Sequence, residues 1–148
     1  MRVQEVLRRS AVAVECDATV AKSAAIMEAV GVGALAVLDG DRVVGIVTDR
    51  DLVRRVLARG APSNSRVDSV MSMPVVSIGA DDDVHDAFAL FRHNAVRRLA
   101  VLRDGRFIGM VTVDDLLINL TADLGDLVRP VTGEIVFGQR DTPVWTLP

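Results

Sequence analysis

The apolar and polar positions of this chain change period several times, and they run through the same series of changes twice. Val12 and Val14 alternate in a short entry strand. Val20, Ala24 and Met27 follow at helical spacing and line a helix. Gly33 to Leu38 reads as a strand, Gly40-Asp41 as a turn and Val43 to Val47 as the return strand. Thr48 opens a helix carrying Leu52, Val53, Val56 and Leu57. The series then restarts. Pro74-Val75-Val76-Ser77-Ile78 is a strand or extended entry, and Asp82 or Asp83 caps the helix whose buried face is Val84, Ala87, Phe88 and Phe91. Leu99 to Leu102 is apolar throughout, the pattern of a strand covered on both faces. Asp104-Gly105 is a two-residue hairpin, Phe107 to Val111 the return strand, and Thr112 caps a last helix with Leu116, Leu117 and Leu120 inside.

Sliding residues 6–58 onto 70–122 without a gap makes the doubling explicit. Leu35-Ala36-Val37-Leu38 falls on Leu99-Ala100-Val101-Leu102, and Gly45-Ile46-Val47-Thr48 falls on Gly109-Met110-Val111-Thr112. Of the 53 aligned positions 17 are identical, so one strand–helix–strand–strand–helix unit has been duplicated. Residues 1–60 form the first repeat, 61–69 a linker, 70–124 the second repeat and 125–148 a tail broken by Pro and Gly. In that tail Glu134-Ile135-Val136-Phe137 is a candidate short strand, and Trp145 is the chain's single tryptophan. The tail reads either as a frayed terminus or as an arm lying on its own domain, a sibling subunit or a partner.

Composition narrows the class. Half of the 148 residues are hydrophobic, which suits a packed core built from Val, Leu, Ile, Ala and Met, since aromatics are scarce. A net charge of −3 argues against a nucleic-acid surface. No apolar run reaches the ~18–20 residues that span a bilayer, and the N-terminus lacks a signal-peptide pattern. With a single cysteine, Cys16, there is no internal disulfide, and the expected location is the cytoplasm.

The candidate chemistry lies in what the copies share. Gly-h-h-Thr-x-x-Asp (h apolar) occurs as Gly45…Thr48…Asp51 and Gly109…Thr112…Asp115. A helix N-terminus attracts anions, a Thr hydroxyl can donate to phosphate, and a carboxylate can accept from both ribose hydroxyls. The same spacing is also an ordinary capping box, and the sequence leaves both readings open. Arg97-Arg98 stands at the mouth of the second buried strand, either for a phosphate or as a solvated pair, where the first copy has Gly33-Ala34. His85 and His93 are eight residues apart on one predicted helix, about 12 Å along its axis, too far to share an ion. Asp81-Asp82-Asp83 lacks the ligand spacing of a calcium loop and reads as helix capping. No catalytic or metal-binding constellation is legible.

The doubled unit closing on Gly-h-h-Thr-x-x-Asp resembles the CBS domain family. Gly45 to Leu52, Met71 to Ser77 and Val96 to Val101 carry the likeness, which extends over residues ~1–123. The resemblance implies an α/β tandem pair of β-α-β-β-α repeats about a pseudo-twofold axis, with two related clefts, in a protein that forms homodimers. It implies an adenosyl ligand, namely AMP, ADP or ATP, with S-adenosylmethionine, NAD or a cyclic dinucleotide as further candidates, and no required cofactor. By position, Asp115 and Asp51 would hold ribose hydroxyls, Thr112 and Thr48 would contact phosphate or ribose, and Arg98 with Arg97 would neutralise phosphate. Val75, Val76 and Ser77, with Val12 and Ala13 in the first copy, would border adenine. Because Gly33-Ala34 lacks the basic residue, the Asp51 cleft is expected to be the poorer one. The expected function is a non-enzymatic sensor acting on an effector protein. The alternative is a ligand-free dimerising scaffold whose Thr-x-x-Asp motifs are only caps.

Overall fold

The doubling is carried through into three dimensions. The computed structural model describes residues 1–9 and 11–137, the last seven of these as helical backbone alone. In the first repeat β1 (Ala13–Glu15) leads to α1 (Val20–Val30), β2 (Ala34–Asp39), β3 (Arg42–Thr48) and α2 (Asp49–Arg55). In the second, β4 (Ser77–Gly79), α3 (Val84–Asn94), β5 (Arg98–Arg103), β6 (Arg106–Thr112) and α4 (Val113–Phe137) follow in the same order. Each half is a three-stranded sheet with its first strand parallel to the second and its third antiparallel. Both sheets carry a bulge at the same place, between Val37 and Leu38 and between Val101 and Leu102. Asp104 and Gly105 both have positive φ, as a two-residue hairpin matching strand twist requires. The two halves meet along β3 and β6.

Each core is completed by the segment that precedes the other repeat. Val3 and Val6, in a 3-10 turn at the start of the chain, are buried with Ile78, Phe91, Leu99 and Leu116 of the second repeat. Val67 and Val70, from the stretch between the copies, are buried with Val14, Leu35 and Leu52 of the first. The backbone fixes both crossings. Val3 donates to the carbonyl of Asp82 and Val84 to that of Met1, while Ile46 and Ser72 exchange hydrogen bonds. The acidic run is consumed here. Asp81 accepts from Arg2 and Gln4, Asp82 from the Gly79 N–H, and Asp83 caps α3.

Asp83 also faces the His85 ring at 2.7 Å and the N-terminal ammonium at 3.5 Å. The hydrogen bond from the His85 N–H, and then that from its ring, hold the carboxyl at about 2. A carboxyl depressed in the folded state contributes stability above its ordinary value and loses that contribution as pH falls through the folded value. An NMR titration of the Asp83 side chain is expected to give a midpoint near 2. A midpoint at the ordinary 3.8 would show the cap open in solution.

Several sequence expectations change. In α1 the buried small residue is Ser23, whose hydroxyl donates to the Thr19 carbonyl, while Ala24 faces solvent. Leu52, Val56 and Leu116 are buried, but Val53, Leu57, Leu117 and Leu120 are exposed. Glu134–Phe137 is not a strand, because α4 runs unbroken through Pro130 to Phe137. Trp145 lies outside the described residues. Among the described residues no helix is long and apolar enough to cross a membrane.

Candidate functional site

Both Thr-x-x-Asp motifs form reciprocal caps. The Thr112 N–H donates to Asp115 Oδ2 at 2.9 Å, and the Asp115 N–H donates back to Thr112 Oγ1 at 3.1 Å. The Thr112 hydroxyl donates to the same Oδ2 at 2.7 Å. Asp51 and Thr48 repeat the exchange at 3.0 and 3.1 Å. A capping box uses one carboxylate oxygen and leaves the other to be accounted for.

The second oxygen separates the two copies. Asp51 Oδ1 faces the Arg55 guanidinium at 3.8 Å, one helical turn on. Arg55 is itself fixed by donating to the carbonyls of Val70 and Met71 at 2.8 and 2.9 Å. In the second copy Asn119 stands at the matching position, and its amide donates to the Asp115 carbonyl rather than to the carboxylate. Asp115 Oδ1 has no partner among the described residues. The half-buried Asp115 therefore presents a free acceptor, whereas Asp51 is neutralised within its own helix.

Asp115 opens onto a cleft of about 250 Å³ built from both repeats. Thr112, Asp115, Met110 and Arg98 come from the second repeat; Val12, Val32, Gly33 and Ala34 come from the first. Arg8 and Arg9 complete the wall. Arg98 sits opposite Thr112 in the β5–β6 register, and both line the cleft at the start of α4. The Gly109 position explains the approach of the N-terminal segment: a Cβ there would lie 3.3 Å from the Leu7 side chain and 3.8 Å from the Arg9 carbonyl. Arg9 then donates to the Gly31 carbonyl at 3.0 Å, bridging to the end of α1.

The structure regroups the residues expected from sequence. Thr112, Asp115, Arg98 and Val12 come together in one cleft, but Arg97 turns out to Asp114 at 3.5 Å on the surface. Val75, Val76, Ser77 and Ala13 do not line that cleft. Ser77 and Ala13 are ladder residues, paired with Ala100 and Ala36, and the Val76 carbonyl accepts from the Ala100 N–H. Gly33 and Ala34, assigned by alignment to the Asp51 side, wall the Asp115 cleft instead. Asp51 borders a separate depression with Arg54, Arg55, Ala58 and Arg59. Arg8 and Arg9 carried no sequence signal beyond charge.

The family model described as the CBS domain matches residues 3–58 and again 67–122. A protein of Methanopyrus kandleri is 34% identical over 118 residues, covering 78% of this chain and 60% of the relative, so the chain spans less than two thirds of that protein. A solved structure of a protein with CBS domains from Burkholderia ambifaria superposes with a TM-score of 0.72 at 31% identity, covering 83% of this chain and 96% of the other. The CBS domain protein of Pyrobaculum aerophilum, solved complexed with AMP, shares the fold with a TM-score of 0.70 at 23% identity, over 82% of this chain and 99% of its own.

Proposed function

The chain belongs to the CBS domain family as a tandem pair of repeats, and from that premise we propose that it is a non-enzymatic regulatory module binding an adenine nucleotide in the Asp115 cleft. The observation that carries the reading is the free Oδ1 of Asp115 in a cleft that also holds Arg98 and the capped start of α4. An acceptor suited to ribose and a cation suited to phosphate both adjoin Thr112, Asp115 through the cap and Arg98 across the strand ladder. The AMP complex of the Pyrobaculum protein supports the choice of ligand. On this reading Arg98 meets phosphate, Asp115 meets the ribose, and Val12 and Val32 offer apolar contact to the base. The protein works in the cytoplasm as a homodimer, and the ligand signals to an effector protein by binding two arrangements of the repeats unequally.

The formed capping boxes favour a second reading, a dimerising scaffold with no ligand, and one experiment separates the two. A ligand that binds only the folded state adds ~2.7 kcal/mol near 100 Kd. For a chain of this size the melting temperature should rise by roughly 5–10 °C with AMP, ADP or ATP. Asp115→Ala should weaken binding by ~1.5–3 kcal/mol and Asp51→Ala by less. Since Asp115 also caps α4, affinities are compared well below each variant's own melting midpoint. No shift with any adenine compound at millimolar concentration leaves the scaffold reading, and equal losses at the two aspartates overturn the assignment to one cleft.

A further inference from the structure

Resting on the reading of the Asp115 cleft as a nucleotide site, we propose that this cleft is built for a nucleoside di- or triphosphate, with Arg8 and Arg9 holding the phosphates beyond the first. Three guanidiniums and a single carboxylate line the cleft. Arg98 lies half-buried beside Thr112, where the α4 N-terminus adds its own partial positive charge, and together these suffice for one phosphate. The remaining two cations then lack a purpose in a monophosphate site. Neither the Arg8 nor the Arg98 side chain has a hydrogen-bond or ion-pair partner among the described residues, and the Arg9 side chain commits a single N–H, to the Gly31 carbonyl. A guanidinium carries five donors, so most of this capacity is uncommitted among the described residues. Like charges gathered at one wall repel, and a longer anion relieves that repulsion in proportion to the phosphates it brings.

Arg8 and Arg9 are held in place rather than trailing. Leu7 is seated over Gly109 of β6, and Val6, one residue earlier, is buried in the core of the second repeat. The arginines therefore enter the cleft from a fixed anchor. They reach the cleft from the N-terminal segment, a different element from the β5–β6 pair and α4 that carry Arg98, Thr112 and Asp115.

The test is calorimetry without divalent cations, using adenosine, AMP, ADP, ATP and inorganic tripolyphosphate against wild type, Arg8→Ala and Arg8→Lys. Wild type is expected to bind ATP at least about tenfold more tightly than AMP. Arg8→Ala should bring ATP to within about threefold of AMP by weakening ATP far more than AMP, and Arg8→Lys should retain part of the preference as a point charge. Arg8 is exposed, so its loss should not move the melting temperature. Equal affinity for AMP and ATP in wild type overturns the proposal, as does an Arg8→Ala variant that loses both alike. If no adenosyl compound binds but tripolyphosphate does, in an Arg8-dependent way, the nucleotide reading falls and the polyanion subsite stands. If tripolyphosphate also fails to bind, both fall.

Discussion

Truncating Leu116 to alanine is expected to cost ~2–5 kcal/mol of folding stability, a large part of the ~5–15 kcal/mol that holds a typical domain together. Leu116 is 1% exposed and packs with Val3, Val6, Phe91 and Leu99, so its loss opens a cavity where the N-terminal segment meets the second repeat. It directly follows Asp115, and the same first turn of α4 that fills the core carries the carboxylate into the cleft. Urea unfolding of Leu116→Ala beside Leu117→Ala reads the effect. Leu117 is 54% exposed, and its truncation should change stability by less than about 0.5 kcal/mol in a lone protomer. A loss at Leu117 as large as that at Leu116 would show its face covered in solution, as a homodimer packed on α4 requires. A small loss at Leu116 would contradict the packing itself.

The second large effect is chemical. Arg98→Ala should weaken AMP, ADP and ATP by 30- to 150-fold, the ~2–3 kcal/mol of a charge-assisted pair in a half-buried cleft, and should leave adenosine nearly unchanged. The wild-type preference for AMP over adenosine should shrink as salt rises, because a pair open to solvent is screened. Calorimetry with both ligands at low and high salt checks both statements. Equal loss of AMP and adenosine would mean that Arg98 holds the fold. No loss of either would leave the anion to Arg8 and the start of α4.

Most of the element order was legible because period separates strand from helix and Gly, Pro, Asp and Thr punctuate them. The misreadings have physical causes. At Leu116-Leu117 and Leu52-Val53 two apolar residues stand side by side, and periodicity alone does not say which turns inward; the packing of one against the core leaves the other exposed. Glu134–Phe137 has strand-like composition, but a helix already under way gains a bond with each residue added, and α4 continues through it. The pairing of Thr112 with Asp115 is legible from spacing, and Arg55 one turn beyond Asp51 carries the same kind of signal. The make-up of the cleft is not legible. Alignment of the copies identifies equivalent positions, whereas the cleft joins non-equivalent ones, such as Val12 with Asp115. Arg8 and Arg9 reach it only because Val3 and Val6 are buried in the other repeat's core.

That crossing also orders events on the ribosome. The first core needs nothing beyond Met71 and can close once the chain has grown that far. The second needs Val3 and Val6 together with Leu116, made more than a hundred residues later. Bringing such distant segments together carries the entropy of a long loop, although that cost rises only slowly with length. The turn that carries Val3 and Val6 is thus made before the first repeat, yet its burial waits for the start of α4, at the far end of the second.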